Sequence, residues 1–105
     1  MERQILKRDG RTEPFEPKKI THAIFKAALA CGGSNEALAE QLTEQALEEI
    51  DRRYGNRMPD VEGVQEIVEK VLIENGHAKT AKAYILYRDK RRSAREINAL
   101  IGATI

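Results

Sequence analysis

The sequence contains little of several features that define large classes of protein. It has one cysteine, Cys31, which excludes an internal disulfide and a zinc site built from several cysteines. Aromatic residues make up 5% of the chain and charged residues 33%, a balance that favours a helical domain with solvated faces over a β-sandwich. The net charge of +1 gives the chain as a whole no strong electrostatic attraction for nucleic acid or a membrane surface.

Long hydrophobic runs and phosphate-loop motifs are also missing. No stretch reaches the length of a membrane span, and the first residues lack the apolar core of a signal peptide, so we expect a cytoplasmic protein with no membrane partner. The 105 residues suffice for one domain with one modest core. Neither the glycine-rich loops Gly-x-x-x-x-Gly-Lys-Ser/Thr and Gly-x-Gly-x-x-Gly nor a nucleophile elbow occurs.

Catalytic and metal-binding residues are not predicted. His22 and His77 lie far apart in the sequence, and neither has a neighbour at metal-ligand spacing. No set of residues has the pattern of a general acid, a base and a nucleophile. We therefore expect no catalytic residue, metal site or catalytic cofactor in this chain, and any phosphate site must be assembled from scattered cations.

Residues 3–16 predict a β-hairpin. Two short extended runs, residues 4–6 and 13–15, flank the segment Arg8-Asp9-Gly10-Arg11. Asp-Gly between extended runs favours a hairpin turn, because glycine accepts the positive φ that such a turn needs. A lone hairpin is marginally stable in water, so we expect it to lie on another element.

Four helices are expected to follow the hairpin, because apolar residues repeat every three or four positions. They cover about residues 17–31, 36–54, 61–74 and 77–100, separated by glycine and asparagine stops. The fold class is therefore mainly α, a four-helix bundle capped by an N-terminal β-hairpin. The side chains expected to be buried are Ile20, Ala23, Ile24, Ala27, Cys31, Leu38, Leu42, Leu47, Ile50, Val61, Val64, Ile67, Val68, Val71, Leu72, Ala78, Ala81, Tyr84, Ile85 and Leu86.

The C-terminal stretch, residues 99–105, is apolar. Such a stretch normally packs against other structure. We expect residues 94–105 to be a linker toward a further domain of a longer protein; a tail that docks on this domain or on a partner is the alternative.

Cations are concentrated in three places. Residues 7–11 place three of them at the predicted turn, where they either reach phosphate oxygens or are solvated charges. Lys18 and Lys19 open the first helix, where lysine opposes the helix dipole unless an anion binds at the helix end; a plain surface position is the alternative. Residues 88–92 have the pattern of a solvated helix face, and nucleic-acid contact is a second interpretation, although no aromatic residues interleave with the charges.

An ordered set of short motifs resembles the ATP-cone domain. In chain order these are Ile5-Leu6-Lys7-Arg8-Asp9-Gly10-Arg11, Pro14-Phe15, Lys18-Lys19-Ile20, Ala23-Ile24, Val64-Gln65-Glu66-Ile67-Val68-Glu69 and Ala81-Lys82-Ala83-Tyr84-Ile85-Leu86-Tyr87-Arg88. They span residues 4 to about 92, and we assign residues 1–93 to the domain. The resemblance implies a β-hairpin lid over a helical bundle, with ATP or dATP bound between them.

The resemblance also implies which residues contact the nucleotide. Glu13 would lie near the ribose or base, Phe15 and Ile20 would form the wall of the adenine pocket, and Lys19 would bind phosphates. Lys7 and Arg8 would contact phosphate and nucleotide from the lid. Further contacts fall on Gln65, where some members carry histidine, and on Lys90 or Arg91, which would reach the phosphate tail.

The resemblance implies a regulatory function. The family usually forms the N-terminal allosteric domain of ribonucleotide reductases, in which ATP favours activity and dATP switches it off, often through subunit assembly. The chain would then be a non-catalytic part of an oxidoreductase, with the catalytic domain and like subunits as partners and Mg²⁺ accompanying the triphosphate. The segment 95–105 resembles the linker of anaerobic, glycyl-radical reductases.

Three other functions are kept as alternatives. A related transcriptional repressor of reductase genes carries a cysteine-rich zinc ribbon before its ATP-cone, which a single cysteine does not fit. A nucleic-acid-binding helical module would use residues 88–92 and would bind in a salt-dependent way. A dimerisation bundle would use the apolar residues 99–105.

Overall fold

The hairpin and the four helices follow one another as the sequence predicts. The computed structural model describes residues 3–104 and the side chains of residues 3–94. Its elements are β1 (Gln4–Leu6), β2 (Thr12–Pro14), α1 (Pro17–Ala30), α2 (Glu36–Tyr54), α3 (Val61–Glu74) and α4 (Ala78–Thr104). The expected fold class is therefore confirmed. Within the described part of the chain, no helix is apolar over a length that would cross a membrane.

Local sequence signals set the starts of the helices. Pro17 is the first residue of α1, where its fixed φ suits the helix and its missing N–H costs nothing. The side chains of Asn35 and Asp60 cap α2 and α3 by accepting hydrogen bonds from the backbone N–H of Leu38 at 3.0 Å and of Gly63 at 3.1 Å. These caps satisfy N–H groups that have no partner inside the helix.

One core lies between the four helices. α1 packs against α2 and α4, and α3 packs against the same two helices from the other side. Thr43 is a buried polar residue: its hydroxyl donates to the carbonyl of Ala39 at 2.7 Å and lies 2.8 Å from the hydroxyl of Thr21. The buried apolar residues are Ile20, Ile24, Ala27, Ala39, Leu42, Ala46, Ile50, Val64, Ile67, Val68, Val71, Leu72, Ala81 and Tyr84.

Three residues expected to be buried are exposed, so the prediction was wrong for Cys31, Ala78 and Leu86. Cys31 follows the last residue of α1 with φ −99° and ψ 8°, so the chain leaves the helix before the apolar stripe reaches it. Leu86 follows the buried Tyr84 by two residues, about 200° around the helix, and therefore points away from the core. Ala78 is the first residue of α4, three residues before Ala81, the first buried residue of that helix.

The hairpin lies against the start of α3. The Leu6 N–H donates to the carbonyl of Pro59 at 2.9 Å, and Leu6 forms a parallel bridge with Asp60. The Arg3 guanidinium donates to Oδ1 of Asp51 at 2.6 Å. These contacts attach β1 to the α2–α3 connection and the residue before β1 to α2.

The predicted turn is confirmed. β1 and β2 are antiparallel with Ile5 opposite Glu13, and the Lys7 N–H donates to the carbonyl of Arg11 at 2.8 Å. Gly10 has a φ of +89°, which a residue with a side chain rarely adopts. The backbone of α4 continues to Thr104, while the docking expected of the apolar side chains 99–105 lies outside the described side chains.

Candidate functional site

A cleft of about 870 Å³ opens between the hairpin, α1, α3 and α4. Its volume is in the range that holds a small-molecule ligand. One part of its wall is apolar and the rest carries charged side chains. The apolar wall is formed by Ile5, Phe15, Ile20, Ala23, Val61 and Val64.

The hairpin brings three cations, Lys7, Arg8 and Arg11, to the cleft, and each has an acidic neighbour. Lys7 Nζ lies 3.5 Å from Oε2 of Glu13, across the two strands. Arg8 Nε lies 3.0 Å from Oε1 of Glu62, in the first turn of α3. Both pairs are partly solvated, so they contribute little to stability. They hold the lysine and arginine side chains over the cleft.

The first turn of α1 contributes two more cations, Lys18 and Lys19, to the same cleft. Lys19 Nζ lies 3.5 Å from Oε2 of Glu16, just before the helix. The first turn contains no acidic residue, so the positive end of the helix dipole is reinforced by lysine. This arrangement attracts an anion.

α4 also lines the cleft, with Arg88, Arg91 and Arg92. The Arg91 guanidinium lies 5.8 Å from the centre of the Tyr87 ring, within cation–π range. Lys26 of α1 approaches the same ring at 5.6 Å and donates to the Tyr87 hydroxyl at 3.4 Å. The hydrogen bond from Lys26 lowers the pKa of Tyr87.

Arg88 also connects the cleft to α3. Its guanidinium donates to Oε1 of Glu69, and its Nε lies 3.3 Å from Oδ1 of Asp89. The side chains of Arg88 and Glu69 are about one-fifth exposed, so this pair is better shielded from water than the hairpin pairs. An arginine has five N–H donors, and Arg88 therefore keeps donors for a ligand while it is bound to Glu69.

The structure brings together most of the residues that sequence reasoning assigned to a nucleotide. Lys7, Arg8, Glu13, Phe15, Lys19, Ile20, Gln65 and Arg91 all line this cleft. Lys90 is exposed and lies outside the lining, so Arg91 is the member of that pair with access to the cleft. Their contact with a nucleotide stays a prediction.

Other cleft residues were missed. Tyr84 was assigned to the core alone, and Arg88 to a solvated helix face, yet both line the cleft. The available signal was helical spacing, since Tyr84, Arg88 and Arg91 lie four and three residues apart and share one face of α4. His22, on α1, also lines the cleft.

The acidic residues of the cleft do not form a metal site. Among the described residues, no group of three or more histidine, cysteine, aspartate or glutamate side chains could hold a metal ion.

Known proteins match this chain over nearly its whole length. It is 42% identical over 107 residues to the vitamin B12-dependent ribonucleoside-diphosphate reductase of Thermoplasma acidophilum, with 97% of this chain and 14% of that protein covered. It is 38% identical over 92 residues to the anaerobic ribonucleoside-triphosphate reductase of Haemophilus influenzae, with 88% and 13% covered. It is 38% identical over 98 residues to the ribonucleoside-diphosphate reductase subunit alpha of Chlamydia pneumoniae, with 87% and 9% covered.

The chain thus spans at most 14% of the length of these three curated relatives. The relatives are reductases of different kinds, and what they share with this chain is one segment. Residues 3–93 match the family described as the ATP cone domain. With its hairpin, its helical bundle and the cleft between them, the chain belongs to the ATP cone domain family.

Proposed function

We propose that this chain binds ATP or dATP in the cleft and acts as an allosteric regulatory domain of a ribonucleotide reductase. One observation carries the proposal: cations from the hairpin, from the start of α1 and from α4 line one cleft that also has an apolar wall. An adenine nucleotide has the matching parts, a planar base at one end and a polyphosphate at the other. The reductase assignment is supported by the names of the relatives.

The base is proposed to lie on the apolar wall. Phe15 lies just before α1, Ile20 lies in α1, and Val64 lies in α3, and all three line the cleft. Ile20 and Val64 are also part of the buried core, so this wall is held rigidly. Burial of the purine ring against these side chains supplies affinity through the hydrophobic effect.

The polyphosphate is proposed to lie between α1 and α4. Lys19 lines the cleft from α1, Arg91 from α4 and Lys7 from the hairpin. Charge-assisted hydrogen bonds from lysine and arginine to phosphate are stronger than bonds between neutral groups. Glu13 already holds Lys7 and is proposed to lie at the ribose or base side.

Mg²⁺ is proposed to enter with the triphosphate. It keeps several waters and binds phosphate oxygens readily. The described residues offer it no cluster of three carboxylate, cysteine or histidine ligands, which supports coordination mainly by the phosphates.

Regulation is proposed to be a population shift. A nucleotide changes an equilibrium only when it binds one conformational or assembly state more tightly than the other. ATP and dATP differ by the 2′-hydroxyl, and one hydrogen bond is worth roughly 0.5–1.5 kcal/mol. That difference biases contact with the catalytic domain, or between like subunits, by a few-fold to about tenfold.

Calorimetric titration of the chain with ATP and with dATP, in Mg²⁺ buffer, tests the binding step. We expect saturable heat with both nucleotides and a rise in melting temperature, because a ligand that binds only the folded state stabilises it. Absence of heat and of a thermal shift at millimolar nucleotide would overturn the proposal. Light scattering with each nucleotide then measures whether the assembly state changes.

The basic stretch of α4 also bears on the nucleic-acid alternative. Arg88, Arg91 and Arg92 line the cleft and Arg88 is bound to Glu69. Because these arginines line a cleft and one of them is already paired with a carboxylate, their arrangement favours a small anionic ligand over a long polyanion. If the chain bound DNA or RNA with steep salt dependence and did not bind ATP, the alternative would replace the proposal.

A further inference from the structure

Tyr84 brings a largely buried, hydroxyl-bearing side chain to the cleft. The residue is 7% exposed and lines the cleft from α4. Within residues 3–94, its hydroxyl donates to no other side chain or carbonyl. No fully enclosed side-chain nitrogen or oxygen of the described residues lacks a partner, so the Tyr84 oxygen keeps some accessible surface, in a residue that lines the cleft.

This hydroxyl remains a hydrogen-bond donor at any physiological pH. Burial raises the pKa of Tyr84 to about 12, with a smaller contribution from the charge of Glu69 and an opposing one from Arg88. A largely buried hydroxyl without a protein partner is unusual, because such groups are costly to leave unpaired. In a binding cleft, a ligand can supply that partner in place of water.

The position of Tyr84 indicates which part of a nucleotide its hydroxyl contacts. Its ring belongs to the same core cluster as Ile20 and Val64, which form the apolar wall. One turn further along α4 is Arg88, a cation that lines the same cleft. Tyr84 is therefore next to the wall proposed for the base on one side and to a cation of the cleft on the other, and in a nucleotide the ribose lies between base and phosphates.

We propose that the Tyr84 hydroxyl hydrogen-bonds the ribose 2′-hydroxyl and is a specificity-determining group between ATP and dATP. This inference rests on the proposed function, since it needs an adenine nucleotide in the cleft. With dATP bound, the Tyr84 hydroxyl loses that partner. ATP, which accepts or donates this hydrogen bond, then holds α4 to the nucleotide and the hairpin more firmly than dATP does.

Tyr87 offers a matched control three residues along the same helix. It lines the same cleft, but its hydroxyl already accepts a hydrogen bond from Lys26 at 3.4 Å. Removing each hydroxyl in turn, as Tyr84→Phe and Tyr87→Phe, keeps both rings. Only the first removes the group proposed to contact the ribose.

The test is a cycle of two variants and three ligands, measured by calorimetry on the 105-residue chain. We expect Tyr84→Phe to weaken ATP about 3- to 10-fold and to leave dATP unchanged, since one neutral hydrogen bond is lost. The nucleotide 3′-deoxy-ATP, which keeps the 2′-hydroxyl, is weakened like ATP. Tyr87→Phe leaves the ratio of ATP to dATP affinity unchanged, whatever it does to both affinities together.

Several results would overturn the inference. Equal loss of ATP and dATP in Tyr84→Phe would assign the hydroxyl to the 3′-oxygen or to the base, and no change in either would leave it without a ligand contact. If the unmodified chain binds none of the three nucleotides, the proposed function fails and the inference fails with it. If it binds them and the ratio does not move in Tyr84→Phe, the proposed function stands and only the ribose contact is lost.

Removing an unpaired hydroxyl preserves the ring packing, and a melting curve of Tyr84→Phe verifies the fold.

Discussion

The Tyr54 hydroxyl donates a 2.6 Å hydrogen bond to Oδ1 of Asp60 and so ties the last residue of α2 to the cap of α3. The other carboxylate oxygen of Asp60 accepts the N–H of Gly63 at 3.1 Å. The backbone of Asp60 forms the bridge to Leu6 in the hairpin. One residue therefore joins α2 and α3 through its carboxylate and the hairpin through its backbone.

Gly63 is required by this contact. A Cβ at this position would lie 1.8 Å from the Tyr54 hydroxyl and 2.9 Å from Oδ1 of Asp60. Glycine to alanine inside a helix normally stabilises by about 0.5–1 kcal/mol. We expect Gly63→Ala to destabilise instead, by about 1–3 kcal/mol, as measured by urea unfolding.

The double variant Tyr54→Phe/Gly63→Ala is the control for this mechanism. Loss of the hydroxyl removes the shortest contact and leaves the ring carbon Cζ at 3.1 Å. The double variant should therefore lose less free energy of unfolding than the sum of the two single variants. A stabilised Gly63→Ala would show that the first turn of α3 is not packed as described.

Stability should depend on pH through the same pair. The hydrogen bond from Tyr54 holds the pKa of Asp60 below its ordinary value of 3.8, against the opposing effect of burial. Because the pKa is lower in the folded state, the stabilisation is fully present above the unfolded pKa and is lost as the pH falls through the folded pKa. We expect Tyr54→Phe to cost about 1–2 kcal/mol at pH 7 and the difference from the unmodified chain to shrink below pH 3.8.

Urea unfolding of both chains from pH 7 to pH 3 measures this difference. Comparing the two chains cancels the titration of the other carboxylates, which is common to both. A difference that stays constant across that range would contradict a bond to the ionised carboxylate. The hydrogen bond would then be to a group that does not titrate.

The elements of the fold could be predicted because their signals are local. Asp9-Gly10 defines the turn, and Asn35 and Asp60 are caps whose hydrogen bonds span only three residues. Cys31 was misplaced because apolar periodicity does not show where a helix ends. The residue sits one position past α1, where the chain has already turned.

The cleft could be predicted only in part. The resemblance supplied Lys7 and Lys19, whose motifs are short and continuous in the sequence. The roles of Tyr84 and Arg88 depend on which face of α4 meets α1 and α3, and that is decided by packing of distant segments. A basic run such as residues 88–92 has the same composition whether it faces a cleft or solvent.

Arg91 and Lys90 provide a matched pair for the phosphate site. They are adjacent cations on α4, but Arg91 lines the cleft and Lys90 does not. We expect Arg91→Ala to weaken ATP roughly tenfold through the loss of a charge-assisted hydrogen bond, and Lys90→Ala to leave the affinity nearly unchanged. Calorimetry at constant ionic strength separates local contact from net charge, since both variants lose one positive charge. Equal losses would show that only the overall field matters.

Lys19→Ala tests whether the start of α1 binds the phosphates. Lys19 Nζ is paired with Glu16 at 3.5 Å in a solvated position, so its removal should change stability by less than about 1 kcal/mol. We expect the affinity for ATP to fall about tenfold, while adenosine, which has no phosphate, binds as tightly as to the unmodified chain. The ratio of the two losses is the measurement, obtained by competition against a fluorescent adenine nucleotide. If adenosine weakened as much as ATP, Lys19 would act on the apolar wall through Ile20, its neighbour in the chain, and the helix end would have no phosphate role.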